Sequence, residues 1–262
     1  MTVPYQEQAD REQRFVWLED QGTDFPFYAG QPAGLAVWQW CLLILAVSGG
    51  FAALILPVSW PGGALGAFIP ALLLSAIPLG ALAQMCPQHW RKLFGPVGWR
   101  EFRLMCGFAL LNLVVSMTAG LLLKSMVGVE SNQGIAGLTD LEAPARVLFF
   151  ARTALQLLGE EVMTILPFLA LLALCTRGLG MGRRSAMVVA WLLSAVLFGL
   201  AHLPAYGWNL LQCLVVIGSA RLVLTLPWIM TKNLWVSTGA HVINDWLLFG
   251  MGMLAATLAK TG

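Results

Sequence analysis

Apolar runs long enough to cross a membrane follow one another along most of the chain. A spanning helix needs about 20 mainly apolar residues. Such runs predict helices at about residues 35–56, 65–85, 104–127, 147–174, 186–203, 209–230 and 234–258. The pattern therefore predicts an all-α, polytopic transmembrane helical bundle with about seven spans, and it excludes a soluble globular domain.

The first part of the chain differs in character from the rest. Residues 1–33 are polar and acid-rich, and they lack the short apolar core and small-residue cleavage site of a signal peptide. We expect a polar N-terminal arm that lies on the surface, followed by a transmembrane domain at residues 34–262. The residues that carry candidate chemistry lie within residues 146–250.

Composition supports a membrane protein. The chain is 58% hydrophobic and 11% charged, whereas an average soluble domain has about 45–50% apolar and about 25% charged residues. A net charge of +2 is too small to suggest a nucleic-acid partner, so we expect none. The lipid bilayer is the expected surrounding.

Basic residues alternate from one side of the predicted membrane to the other. The loops on one side are neutral or acidic. The chain ends and loops on the other side carry most of the basic residues: Arg11, Arg14, Arg91, Lys92, Arg100, Arg103, Arg177, Arg183, Arg184 and Lys232. Cytoplasmic loops are enriched in lysine and arginine. The pattern places the N-terminus in the cytoplasm and the C-terminus outside. We expect an integral protein of the bacterial cytoplasmic (inner) membrane.

Four ionisable residues stand out inside the predicted spans, where such groups are costly and usually functional. They are Glu160 and Glu161 in the fourth span, His202 at the end of the fifth and His241 in the seventh. Helical spacing places Glu160 on a polar stripe, and Glu161 points about 100° away from it, so Glu160 is the preferred interior residue. Further side chains share a helical face with one or the other histidine, which predicts one internal site: Ser194, Phe198, Ser237, Asn244 and Asp245.

Hydrolysis is the chemistry that these groups favour. A buried carboxylate and an imidazole can together deprotonate a water molecule for attack on a peptide carbonyl. A second histidine with an amide beside it can donate hydrogen bonds to the oxyanion that develops. No cofactor or metal is required. The glutamates and histidines are also possible zinc ligands, but the sequence lacks the HExxH pattern of a zinc-binding helix.

The order and context of these residues resemble the CPBP family of CAAX-protease and bacteriocin-processing (Abi) membrane endopeptidases. The string GEEVMT is followed by FGLAH and then by TKNLWVSTGAHVIND. These strings are similar to the family motifs EExxxR, FxxxH and HxxxN or HxxxD. The motifs fall on Glu160 and Glu161, on Phe198 and His202, and on His241 and Asp245.

The resemblance implies a glutamic intramembrane peptidase. Glu160 and His202 would activate water, with Glu161 completing the pair of glutamates, and His241 with Asp245 would form the oxyanion side. Asn244 would supply an amide, because Asp245 stands where the family also uses asparagine. The motif arginine is replaced by Ile165. Arg221 or Arg152 would then be the counter-ion of the glutamates.

Two features favour other functions. The missing arginine and the acidic arm favour a catalytically inactive relative that acts as a structural or assembly subunit of a membrane complex. Buried glutamate and histidine also occur in proton-coupled transporters, although no internal repeat is visible. The expected partner is accordingly a membrane-embedded or lipidated peptide or protein substrate, or other subunits of a complex. Counting along the helices places His202 and His241 at different depths from Glu160, so the site requires tilted, kinked or short helices.

Overall fold

Helices dominate the chain, as the apolar runs predict. The computed structural model describes residues 14–20, 22–130, 132 and 137–261; Arg11, part of the predicted basic side, lies outside them. Within these ranges there is no strand, and seven long helices follow in order: α1 (Val37–Ile55), α2 (Phe68–Met85), α3 (Trp99–Met126), α4 (Ala143–Ala173), α5 (Arg183–Ala201), α6 (Leu210–Thr231) and α7 (Leu234–Thr261). The chain is all-α.

Six of these helices, α1 to α6, are long and apolar enough to cross a membrane. The seventh, α7, has the length of a span. It carries the polar residues His241, Asn244 and Asp245. The prediction of about seven spans is therefore close to what the described helices provide.

The two ends of the bundle differ in charge. Asp20 binds Arg100 at the start of α3, and Glu19 binds both Arg183 at the start of α5 and Lys232 after α6. These contacts gather the starts of α3 and α5 and the end of α6 at one end, here called the basic end. Asn233, just before α7, hydrogen-bonds to Gly95 just before α3. Consequently α3 and α7 run in the same direction, away from the basic end.

Part of the N-terminal arm is packed into the protein, so the expectation of a surface-lying arm is wrong for residues 25–28, whereas Val16 and Trp17 are exposed. Phe25, Phe27 and Tyr28 are buried. The ring of Phe25 lies 5.3 Å from that of Phe168 in α4. Burial alone would raise the pKa of Glu19, but the hydrogen bonds and charges of Arg183 and Lys232 outweigh it and hold that pKa at about 2. The arm closes the basic end with ion pairs.

Helix α4 is the most buried of the six candidate spans and packs against α1, α2, α5 and α7. Gly159 permits its close approach to α2, because a Cβ there would lie 2.5 Å from Leu74 Cγ. The next two residues are Glu160 and Glu161. The central position of α4 therefore places both glutamates in the interior of the bundle.

Candidate active site

Side chains from α4, α5 and α7 come together around the carboxylate of Glu160. The Nε2 atom of His202 lies 3.8 Å from Glu160 Oε2, and the Nε2 atom of His241 lies 4.0 Å from the same oxygen. Gln156, one turn earlier on α4, donates a hydrogen bond of 2.9 Å to Glu160 Oε1. The two imidazoles thus face one carboxylate oxygen while the other oxygen is held by an amide.

The second glutamate is the more deeply buried one. Glu161 is fully buried, so the preference for Glu160 as the interior residue does not hold. Arg221 of α6 donates to both Glu161 oxygens, at 2.5 and 3.0 Å. Arg152, the other candidate counter-ion, has no carboxylate within 4 Å among the described residues and lies over the ring of Phe149. The cation that faces the glutamates therefore comes from α6.

Hydrogen bonds to each ring fix which nitrogen of each histidine is available. His202 Nδ1 lies 2.8 Å from the backbone carbonyl oxygen of Phe198, and His241 Nδ1 lies 2.8 Å from Glu161 Oε1. Both partners can only accept, so both Nδ1 atoms carry hydrogen. Both Nε2 atoms are then directed to Glu160. The ring of Phe198 supports this arrangement, with its centroid 4.4 Å from that of His202 and the Arg221 guanidinium 5.0 Å above it.

The other two candidate residues of α7 bind each other. Asn244 Nδ2 donates to Asp245 Oδ1 at 2.9 Å, and that oxygen lies 3.7 Å from His241 Nε2. The Asn244 side-chain oxygen is buried without a hydrogen-bond partner in the described chain. Asn244 therefore already donates one of its two amide hydrogens, and the acceptor is Asp245, which stands at the position of the motif asparagine.

A cavity of about 690 Å³ joins these groups. Some of its lining residues come from the ends and loops opposite the basic end, and they are here called the cavity rim: Leu54, Ile55, Asn132, Pro204 and Tyr206. Burial raises the pKa of Tyr206 to about 12, so its hydroxyl remains protonated at neutral pH. The cavity therefore extends from the glutamates toward the end of the bundle that has few basic residues.

The sequence interpretation missed the contribution of α3. Asn112 and Ser116 border the cavity together with Glu160, although they lie outside the resemblance to the family motifs. The available signal was a single asparagine in the apolar string ALLNLVV. Among the described residues, no group of three or more His, Cys, Asp or Glu side chains is arranged to hold a metal ion.

Comparison with known families identifies the part of the chain that contains the site. The model of the family described as type II CAAX prenyl endopeptidase Rce1-like matches residues 143–247. No curated protein and no solved structure matches the chain. The matched segment begins at the start of α4 and ends within α7. It contains every residue of the three motifs.

The match and the membrane-spanning helices support each other. A family of membrane endopeptidases requires an integral membrane protein, and six described helices are suited to cross a bilayer. The site lies where helices of the matched segment meet. Residues 143–247 of this integral membrane protein therefore match the type II CAAX prenyl endopeptidase model of the CPBP family, over the segment that carries all three motifs.

Proposed function

We propose that this protein is an active intramembrane endopeptidase that hydrolyses a membrane-embedded or lipidated peptide. One observation carries the proposal. Glu160 Oε2 is faced by two imidazole Nε2 atoms, at 3.8 and 4.0 Å, inside a cavity of the bundle. The buried ion pair of Glu161 and Arg221 also supports it, because Arg221 supplies the cation that Ile165 cannot.

Glu160 and His202 are proposed to activate water. A water molecule between Glu160 Oε2 and His202 Nε2 can donate one hydrogen to each, since both atoms accept. Glu160 takes a proton as the water oxygen attacks the carbonyl carbon of the scissile peptide bond. When the C–N bond breaks, the same proton passes to the leaving nitrogen. The products are a carboxylic acid and an amine.

His241 is proposed to stabilise the oxyanion. Glu161 orients its ring through Nδ1 and leaves Nε2 facing the cavity. A protonated Nε2 can donate to the carbonyl oxygen as negative charge develops there. Asp245, 3.7 Å from Nε2, favours the presence of that proton. Glu161 acts through His241 and is a positioning residue in this scheme.

The shape of the cavity favours a substrate that enters away from the basic end. With the basic end in the cytoplasm, the cavity rim at Leu54 and Tyr206 faces the outer side of the membrane. We place the protein in the bacterial cytoplasmic membrane, with a substrate segment reached from that outer side. The lining combines apolar residues with the polar groups of the site, as suits a hydrophobic peptide.

The test compares membranes that contain the wild-type protein, Glu160→Gln, His202→Asn or Glu142→Gln. New N-termini of membrane proteins are identified by mass spectrometry. We expect cleavage in the wild type and in Glu142→Gln, an exposed position at the start of α4. Loss of general acid–base catalysis should slow cleavage by about 10²- to 10⁴-fold in the other two.

Two results would contradict the proposal. Cleavage that persists in both Glu160→Gln and His202→Asn would exclude the Glu/His-activated water. Absence of cleavage by the wild type, together with a stable complex with other membrane proteins, would instead establish the inactive, structural relative.

A further inference from the structure

Helix α3 places an amide without a partner in the wall of the cavity. The side chain of Asn112 is fully buried. Neither its Oδ1 nor its Nδ2 atom has a hydrogen-bond partner among the described residues. Buried polar side-chain atoms are nearly always paired. Asn112 borders the same cavity as Glu160 and His241, so the cavity is where its partner can bind.

The packing of α3 on α7 gives the height of Asn112 in the cavity. Met105 of α3 contacts Gly239 of α7, and the two helices run in the same direction. Asn112 lies seven residues beyond this contact, or about 10 Å along the axis. Asp245 lies six residues beyond it, or about 9 Å. Asn112 is therefore level with Asp245, within two helical turns of His241.

The chemistry of the amide selects the ligand. A primary amide donates through Nδ2 and accepts through Oδ1. A peptide group offers the complement, a carbonyl oxygen and an N–H, whereas a cation or an anion would satisfy only one of the two atoms. Apolar residues such as Leu157, Leu224 and Phe249 line the same cavity and suit the side chains of an apolar peptide.

The third motif leaves a place for such an amide. Asp245 stands at the position of the motif asparagine, and an ionised carboxylate can only accept. Asn244 donates one of its two amide hydrogens to Asp245. A further amide that can donate to a substrate carbonyl at this height is provided by α3.

We infer that Asn112 binds the backbone of the substrate beside the bond that is cleaved. Its Nδ2 donates to a peptide carbonyl and its Oδ1 accepts from a peptide N–H. Asn112 exchanges no proton with the substrate and is a positioning residue. Ser116, one turn further along α3, also has an unpartnered hydroxyl at the cavity and extends the backbone site. The inference rests on the proposed function in one respect, that the cavity receives a peptide.

Binding to a catalytically silenced protein tests the inference. The probe is an end-blocked, fluorescein-labelled peptide of ten alternating leucine and alanine residues, since backbone recognition does not depend on side-chain identity. The full chain with Glu160→Gln is compared with the chain that also carries Asn112→Leu. We expect about ten-fold weaker binding in the double variant, the usual effect of losing one or two hydrogen bonds.

The comparison separates this inference from the proposed function. Both proteins carry Glu160→Gln, so the result does not depend on whether the wild type cleaves peptides. Equal affinities of the two proteins would overturn the role of Asn112. Failure of the peptide to bind either protein would also overturn it, because a backbone site should accept any apolar peptide that fits the cavity.

Stability distinguishes a binding role from a structural one. Asn112→Leu removes two unpartnered polar atoms, so the melting temperature without peptide should stay the same or rise. Thr238→Val is the matched control, since Thr238 has a buried, unpartnered hydroxyl away from the cavity. Thr238→Val should likewise leave the melting temperature unchanged or raise it, but it should not weaken the binding of the peptide. A melting temperature lowered by Asn112→Leu and by the smaller Asn112→Ala would show a structural role and overturn the inference.

Discussion

At the scale of the residue, Arg221 and Glu161 lie in the interior as a fully buried ion pair. Each is 0% exposed, and two hydrogen bonds join them. Thr225 receives a further hydrogen bond from Arg221 Nε at 3.2 Å. Removing one partner of a buried pair leaves an uncompensated charge, which is more destabilising than removing both. The pair therefore ties α4 to α6 beside the candidate active site.

We predict that Arg221→Met lowers the free energy of unfolding by about 3–5 kcal/mol. Combining it with Glu161→Gln should recover part of that loss, because the buried carboxylate is then neutral. The measurement is thermal unfolding of the purified protein in detergent. Arg152→Met is the matched control and should change stability little, since Arg152 has no carboxylate partner among the described residues.

A double variant that is no more stable than Arg221→Met would contradict this coupling. So would a strong loss of stability in Arg152→Met, because Arg152 would then also act as a counter-ion.

The sequence identified both candidate counter-ions but could not choose between them. Arg152 is eight residues before Glu160 on the same helix, whereas Arg221 is 60 residues after Glu161. Only the packing of α6 against the interior decides which guanidinium reaches the carboxylate. The unpartnered amide of Asn112 was harder still to predict from the sequence, because a single asparagine in an apolar run does not reveal which face of α3 is buried.

At the scale of the element, α5 approaches α6 so closely that a glycine is required. The backbone of α6 forms a π-helical turn at Cys213–Ile217. A Cβ on Gly199 of α5 would lie 2.6 Å from the Cys213 carbonyl oxygen in that turn. Backbone atoms cannot move aside as a flexible side chain can. His202 follows three residues later, so this contact also sets its position.

We predict that Gly199→Ala destabilises the protein by about 1–3 kcal/mol, the usual cost of overpacking. It should also reduce cleavage, because displacement of α5 moves His202 away from Glu160. Thermal unfolding and the cleavage assay measure the two effects. Gly107→Ala on α3 is the control: a Cβ there meets nothing within 4 Å, and alanine favours the helix by about 1 kcal/mol.

Equal stability of Gly199→Ala and Gly107→Ala would show that α5 and α6 leave room for a Cβ at Gly199. Cleavage that is unchanged in a destabilised Gly199→Ala would separate the helix contact from the position of His202.

The lengths and order of the helices could be predicted from the sequence, whereas the arm could not. Spans are set by the thickness of the bilayer, so apolar run length alone locates α1 to α6 to within a few residues. The arm is polar in composition, yet Phe25 and Phe27 are buried and Glu19 is neutralised by Arg183. These contacts join residues more than 140 positions apart, which local patterns do not reveal.

At the scale of the whole molecule, the basic end and the cavity rim lie at opposite ends of the bundle. Arg91 follows α2 at the basic end, whereas Val58 follows α1 at the other end, and both are exposed. Ala205 borders the cavity near its rim. If positive charge marks the cytoplasmic side, a substrate enters the cavity from the outer side. A substrate held at the cytoplasmic surface would not reach Glu160 by this route.

Labelling of single introduced cysteines in intact cells decides the orientation. We predict that a membrane-impermeant thiol reagent labels Val58→Cys and Ala205→Cys from outside but labels Arg91→Cys only after the membrane is opened. The wild type gives the background of its five free cysteines. Labelling of Arg91→Cys from outside would reverse the orientation, and the substrate would then enter from the cytoplasm. Labelling of Val58→Cys without Ala205→Cys would keep the orientation but contradict entry at this rim, because the cavity would be closed to the outer side.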